Sequence, residues 1–214
     1  MGRGRDSALG PRGLARAKKG ALIAGETLVF VDECGFSQRP HVRRTWAPKG
    51  QTPKLRGNFN WKRLSATGAI TWRPDQDYTR LFLSLRPGAL NTEDAIEFLR
   101  NLRRHVRGRV VVLWDGLPAH RSRRVAEFAQ RQAHWLRLVR LPAYAPELNP
   151  VEYLWAHPKN GTTANYAPDH LSDLEKRVQG ATRRLRRRDH IGLGYLKHAG
   201  LLDSTESTLT CKDQ

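Results

Sequence analysis

Two aspartates and a glutamate stand where carboxylates are hard to explain as ordinary surface residues. Asp32 lies inside the apolar run TLVFVDE, Thr27 to Glu33, where a lone ionised carboxylate is costly unless it is paired or bound to a metal. Asp115 closes RVVVLWD, Arg109 to Asp115, at the carboxyl edge where open α/β sheets gather their ligands. Two acids delivered by two central strands begin a cation site. Hard divalent ions such as Mg²⁺ take carboxylate oxygens and keep some of their water. Two of them, roughly 3.5–4 Å apart, stabilise the attacking and leaving oxygens of phosphodiester cleavage. Glu33 follows Asp32 directly, and neighbouring strand residues point to opposite faces. Only one of the pair can share a face with Asp115; Asp32 is the expected one, with Glu33 facing the other layer.

The third acid comes from LPAYAPELNPVEYLW, Leu141 to Trp155. Asn149, Pro150 and Glu152 have a plain reading as N-cap, N1 and N3 of a helix closed by a capping box. Yet Val151, Leu154 and Trp155 form an apolar stripe, and Glu152 lies on its border, about 60° from Trp155 at about 100° per residue. A helix docked by that stripe aims Glu152 along the sheet edge where Asp115 ends. Pro142, Pro146 and Pro150 stiffen the approach. Glu152 can be cap and ligand at once. Glu147, inside the loop, reads as a solvated turn residue. His120, five residues past Asp115, has a plain reading as a turn histidine before the next helix.

These residues sit in a strongly basic chain. Of 214 residues, 38 are Lys or Arg and 20 Asp or Glu, a net charge of +18. Such a field collects polyanions, and phosphate backbones are the commonest. Cys34 to Pro74 holds nine Lys/Arg and no acid. Within it Arg43, Arg44, Lys49, Arg56, Lys62 and Arg63 are candidate phosphate contacts. Trp46 and Trp61 either stack on frayed bases or pack in the core. Arg183, Arg184, Arg186, Arg187 and Arg188 make a second basic run, either tracking a backbone or merely solubilising a helix. Two cysteines far apart, Cys34 and Cys211, argue against a disulfide scaffold or structural zinc and for a reducing compartment. No apolar run is long enough to span a bilayer. A cytoplasmic, DNA-associated protein is expected.

The elements that must position the acids are legible as alternating patterns. Strands are expected over 27–33, 64–72, 78–85, 109–115 and 136–142, and a Pro-Lys-Gly hairpin turn within VRRTWAPKGQTPKL. Asn91 and Asp94 open a helix over 91–106 with Ile96, Leu99 and Leu102 inward. Ser122 caps a second helix, with Val125, Phe128 and Ala129 inward. A short helix follows Pro150, and a longer one over 171–187 carries Leu171, Leu174, Val178, Ala181 and Leu185 as its stripe. Early hairpins imply antiparallel pairing and later strand–helix alternation implies parallel pairing. The fold class expected is α/β, a mixed five-stranded sheet flanked by helices. Residues 1–26, with six Lys/Arg, two acids and six glycines, read as a flexible basic lead-in; 27–190 as the catalytic domain; 191–214 as a C-terminal tail.

VFVDE, VLWDGLPAHRS and LPAYAPELNPVEYLW together resemble the three blocks of the DDE transposases, in the mariner-type group with its bacterial insertion-sequence relatives. RRTWAPKGQTP resembles the family's segment after its first aspartate. The likeness covers about residues 28 to 190. It implies an RNase H-like fold in which Asp32, Asp115 and Glu152 hold two divalent ions, Mg²⁺ or Mn²⁺. It also implies the reaction: water activated by metal cuts transposon ends, and the freed 3′ hydroxyl attacks target DNA, with the protein as a dimer on DNA. His120 fits the second block and Asn149 the third, as active-site support.

Two departures shape the expectation. The family's helix-turn-helix region does not fit in the 31 residues before Asp32, so a separate reading frame is expected to supply it. Pro158, in WAHPKN, interrupts the helix behind Glu152 and loosens its hold on that side chain. The alternative to a working nuclease is a catalytically inactive DNA-binding remnant; a host nuclease of RNase H type is a third reading.

Overall fold

The computed structural model describes residues 11–57, 61–76, 78–142, 148–188 and 190–202. Five strands make one mixed sheet: β1 (Thr27–Ser37), β2 (Arg63–Arg73), β3 (Tyr78–Pro87), β4 (Val110–Trp114) and β5 (Leu136–Arg140), in the order β3-β2-β1-β4-β5. β1 with β2 and β2 with β3 are antiparallel; β1 with β4 and β4 with β5 are parallel. The mixed pairing expected from the alternation of elements is the one found. Long β-branched and aromatic runs explain it, because a central strand must be apolar on both faces.

Alternation along β1 sorts the core into two layers. Leu28, Phe30, Cys34 and Phe36 face one side, against α4 (Val151–His157), α5 (Leu171–Arg186) and α6 (Ile191–His198). Val29 and Val31 face the other, against α2 (Thr92–His105) and α3 (Arg123–Arg131). α2 opens on the expected capping box: Asp94 N donates to Asn91 Oδ1, and Asn91 N to Asp94 Oδ2, each at 3.0 Å. α3 opens on Ser122, whose Oγ accepts from Val125 N at 3.3 Å.

Three expectations need correction. The basic lead-in is not featureless, because Pro11–Ala24 forms α1 and buries Leu14, Ala17 and Ala21. That stripe of one leucine and two alanines is too weakly apolar to stand out among cations, yet it sits at helical spacing. The supposed C-terminal tail begins with α6, whose Leu196 is fully buried and whose Gly192 lies so close to Thr79 that a Cβ would fall 2.2 Å from its Oγ1. Residues 203–214 of that tail, Cys211 included, lie outside the described residues. Finally, the Pro48–Gln51 turn forms, with Gln51 N donating to Pro48 O at 3.0 Å and Gly50 at φ 84°. Its arms do not pair as a hairpin among the described residues. One arm instead meets the segment after α4, through a His41–Ala164 bridge.

Candidate active site

The register of β1 and β4 sets the geometry of the first two acids. Thr27 pairs with Val110 and Phe30 with Leu113. That pairing stops two residues short of Asp32 and of Asp115, whose positions alternate onto the same face of the sheet as Phe30 and Leu113. Asp32 is 8% exposed, and its Oδ2 accepts from Trp155 Nε1 at 2.7 Å. Room for that indole comes from the strand opposite. Gly68 pairs with Asp32, and a Cβ there would fall 2.7 Å from two ring carbons of Trp155. Burial, and then the charge of Glu152, push the Asp32 carboxyl up to about 7. Glu152 itself is exposed, on the border of the Val151, Leu154 and Trp155 stripe as its spacing requires.

Asn149 fastens this helix to the sheet rather than capping it by a box. Its Nδ2 donates to Val31 O at 3.0 Å, and its Oδ1 accepts from Val151 N at 3.2 Å. The capping box expected with Glu152 is not formed, since the amide oxygen is taken by the residue before it. Glu147 and most of the proline segment, 143–147, lie outside the described residues. Pro158 does end α4, as expected. A single π-type turn, Pro158–Thr162, takes over, and Thr163 N and Oγ1 both donate to Pro158 O at 2.8 and 2.9 Å. Lys159 in this turn reaches Cys34, whose thiol burial raises to about 11 against the lysine's opposing charge.

Glu33 faces the other layer, as alternation demands, but it is not idle there. His120 Nδ1 lies 2.8 Å from Asp115 Oδ1, and His120 Nε2 lies 3.1 Å from Glu33 Oε1. The ring stacks on Trp114 at 4.1 Å and 7°. Burial pulls the imidazole down, but hydrogen bonds and charge from Asp115 and Glu33 outweigh it and raise it to about 9. For Asp115, burial pulls upward; the bond to His120 and one from Leu117 N, at 3.0 Å, outweigh it and lower the carboxyl. One ligand atom from each of Glu33, Asp115 and His120 lies within 4.8 Å of the others, a spacing that would suit a metal. His120 itself bridges the two acids, with one ring nitrogen on each. Asp32 and Asp115 are each held through one oxygen, and Asp32 and Glu152 carry a repulsion that a divalent ion would relieve.

The acid-free segment is a surface. Residues 41–57, with Arg43, Arg44, Lys49 and Arg56, are exposed, as are Lys62 and Arg63. Trp46 is 100% exposed and Trp61 81%, so the core-packing alternative for both is wrong; Arg39 lies over the Trp61 ring at 5.6 Å. Arg43 ties the segment to the turn after α4, through its N to Asn165 Oδ1 at 2.8 Å and its guanidinium to Asn160. The sequence reading missed Gly68, Trp155 as a donor to Asp32, and any role for Glu33. A glycine in mid-strand was the available signal for the first.

Several comparisons bear on this arrangement. The family model for the DDE superfamily endonucleases matches residues 27–175. No curated protein matches. A Mos1 transposase paired-end complex with left transposon end is similar at TM-score 0.59 and 21% identity, over 94% of this chain and 62% of that one. A Mos1 mariner paired-end complex with Mn is similar at 0.58 and 22%, with the same coverage. The catalytic domain of Mos1 mariner transposase gives 0.52 and 18%, over 87% of this chain and 81% of that one. The chain thus spans less than two thirds of the longer neighbours. At these identities the likeness is one of fold, the RNase H-like arrangement expected from the sequence.

Proposed function

The chain belongs to the DDE superfamily endonucleases, and we propose that it is a transposase catalytic domain of the mariner type, cutting and joining DNA with Asp32, Asp115 and Glu152. What supports this reading is that β1, which carries Asp32, and β4, which Asp115 directly follows, are adjacent parallel strands, with Trp155 fastening the Glu152 helix to Asp32. Two divalent ions, Mg²⁺ or Mn²⁺, are the expected occupants. Bound there, they supply Lewis acidity for activating water or a 3′ hydroxyl and for offsetting charge on the leaving oxygen.

The chain's own residues supply position. Trp155 and Asn149 hold α4 against β1, and so fix where Glu152 stands relative to Asp32. His120, clamped between Glu33 and Asp115, keeps Asp115 ionised and oriented. The exposed segment bearing Arg43, Arg44, Trp46, Lys49 and Arg56, with Lys62 and Arg63 at its far end, offers guanidinium and ammonium groups to phosphates and two rings to unpaired bases. Transposon ends and target DNA are the proposed substrates, and a homodimer on DNA the proposed assembly. A helix-turn-helix domain is the proposed partner that reads the ends. Among the described residues no helix is long and apolar enough to cross a membrane.

The deciding experiment is Mn²⁺-dependent nicking of supercoiled plasmid by the purified chain beside its Asp115→Asn variant. Nicking that disappears in the variant, with DNA affinity retained, is the expected outcome. Equal nicking by both would sink the assignment, and none by either would favour the inactive remnant.

A further inference from the structure

α2 and α3 carry six arginines, and some of the basic residues on this side of the sheet have a carboxylate at hand. Arg123 meets Glu127 and Arg124 meets Glu93. Arg109 and Arg137, beside the ends of β4 and β5, share Glu26 at 3.5 and 2.9 Å. Four others differ. Arg100, Arg103, Arg104 and Arg131 line one hollow of about 410 Å³ with Phe128 and Trp135. Among the described residues none of the four pairs with an acid.

The hollow lies at the end of the sheet away from Asp115. Trp135 O accepts from Val110 N at 2.7 Å, and Arg103 Nη1 donates to Gly108 O at 2.9 Å, both at the amino end of β4. Asp115 follows its carboxyl end. Five residues of strand lie between, roughly 16 Å at about 3.3 Å each. The guanidiniums are also pre-set. Arg100 lies over Phe128 at 5.6 Å and Arg103 over Trp135 at 5.1 Å, which limits the side-chain entropy lost on binding.

We infer that this four-arginine hollow is a second phosphate-backbone site, remote from the carboxylates, that holds duplex DNA without reading its sequence. The choice of DNA rests on the function proposed above. Planar guanidiniums match phosphate oxygens in pairs. Both aromatic side chains are buried, Phe128 at 7% and Trp135 at 4% exposure, with an arginine over each ring. An acidic protein would therefore find charge there but no apolar anchor, and a base would find no face to stack on.

The test uses the full chain and a triple variant, Arg100→Ala, Arg104→Ala and Arg131→Ala. Arg103 is left in place because it also holds the backbone at Gly108. Affinity for a labelled random-sequence duplex is measured by anisotropy as salt is raised from about 50 to 200 mM. Each lost phosphate contact flattens the log–log salt slope by about 0.9, so the variant should be shallower by roughly 2.7. Mn²⁺-dependent nicking at saturating plasmid should be retained, and the triple Arg→Lys variant should recover most of the slope. An unchanged slope in the alanine variant overturns the inference while leaving the nuclease reading intact. So does a slope change matched by loss of nicking and a lowered melting temperature that lysine does not restore. Loss of polyglutamate binding without loss of duplex binding would assign the hollow to an acidic protein instead. A wild-type chain that neither binds duplex nor nicks overturns the nuclease reading itself.

Discussion

Gly68→Ala tests whether the first aspartate is positioned by a packing contact two strands deep. Carbon atoms in ordinary contact sit about 3.5–4.0 Å apart; the added methyl would meet Trp155 at 2.7 Å and Leu154 at 3.2 Å. The indole must retreat by about 1 Å to restore contact. It cannot do so freely, because its Nε1 is bonded to Asp32 Oδ2 at 2.7 Å and its helix is fastened through Asn149. Overpacking of this kind costs about 1–3 kcal/mol, and a strained or lost bond to a charged group adds about 1.5–3 kcal/mol. We therefore expect a loss of about 3–5 kcal/mol in urea denaturation. Glu152 lies one turn from Trp155, so the same retreat misplaces it by a similar distance. A misplacement near 1 Å costs roughly 10²-fold in rate, to be read in the nicking assay. Trp155→Phe, which shrinks the ring and removes the donor, should also destabilise. The double variant should lose less than the sum of the two, because the smaller ring accepts the methyl. Strictly additive losses, or a Gly68→Ala protein as stable and active as wild type, would refute the reasoning.

The pH dependence of the metal-free protein has a definite sign. Asp32 is raised from 3.8 to about 7, so folding favours its protonated form, and stability present below pH 4 is lost as pH rises towards 7, on the order of 4 kcal/mol in total. His120, raised to about 9, contributes in the same sense between about 6.5 and 9; thermal melts should fall across pH 4 to 9, and saturating Mn²⁺ should flatten the curve below 7. His120→Ala leaves Glu33 buried without its cation, so a destabilisation of about 3 kcal/mol or more is expected in urea melts. Glu33→Gln in the same background should recover part of it. Asn149→Ala removes two buried bonds at the foot of α4 and should cost about 1–3 kcal/mol, with nicking falling more than DNA affinity.

The sheet was legible because each strand is a dense run of β-branched or aromatic residues bounded by turn signals, and α2 because Asn91 and Asp94 announce its start. The three carboxylates stood out for the same reason, as acids inside or at the ends of such runs. What stayed hidden depends on contacts between distant segments. Alternation placed Glu33 correctly on the far layer, but nothing local reveals that a histidine 87 positions later reaches that layer from the turn after β4. Trp155 was read as packing and is also a donor, a role set by the Asp32–Gly68 pair across the sheet. α1 was hidden by composition, since three small or apolar positions carry it among cations. The exposure of Trp46 and Trp61 went against the usual fate of tryptophan, and only a loop held away from the core explains it.

The turn from Pro158 to Thr162 has a mechanical consequence. Proline has no N–H to continue an α-helical ladder, so the chain widens by one residue per turn before Thr163 closes on the Pro158 carbonyl. Immediately beyond it stand Ala164 and Asn165, which with Asn160 form the anchor of the exposed basic segment. The segment that offers cations to a polyanion and the helix that carries Glu152 are therefore two ends of one short lever with the proline turn as its elbow. Segment and helix are thus joined through a single short turn, by the bonds of Arg43 to Asn160 and Asn165.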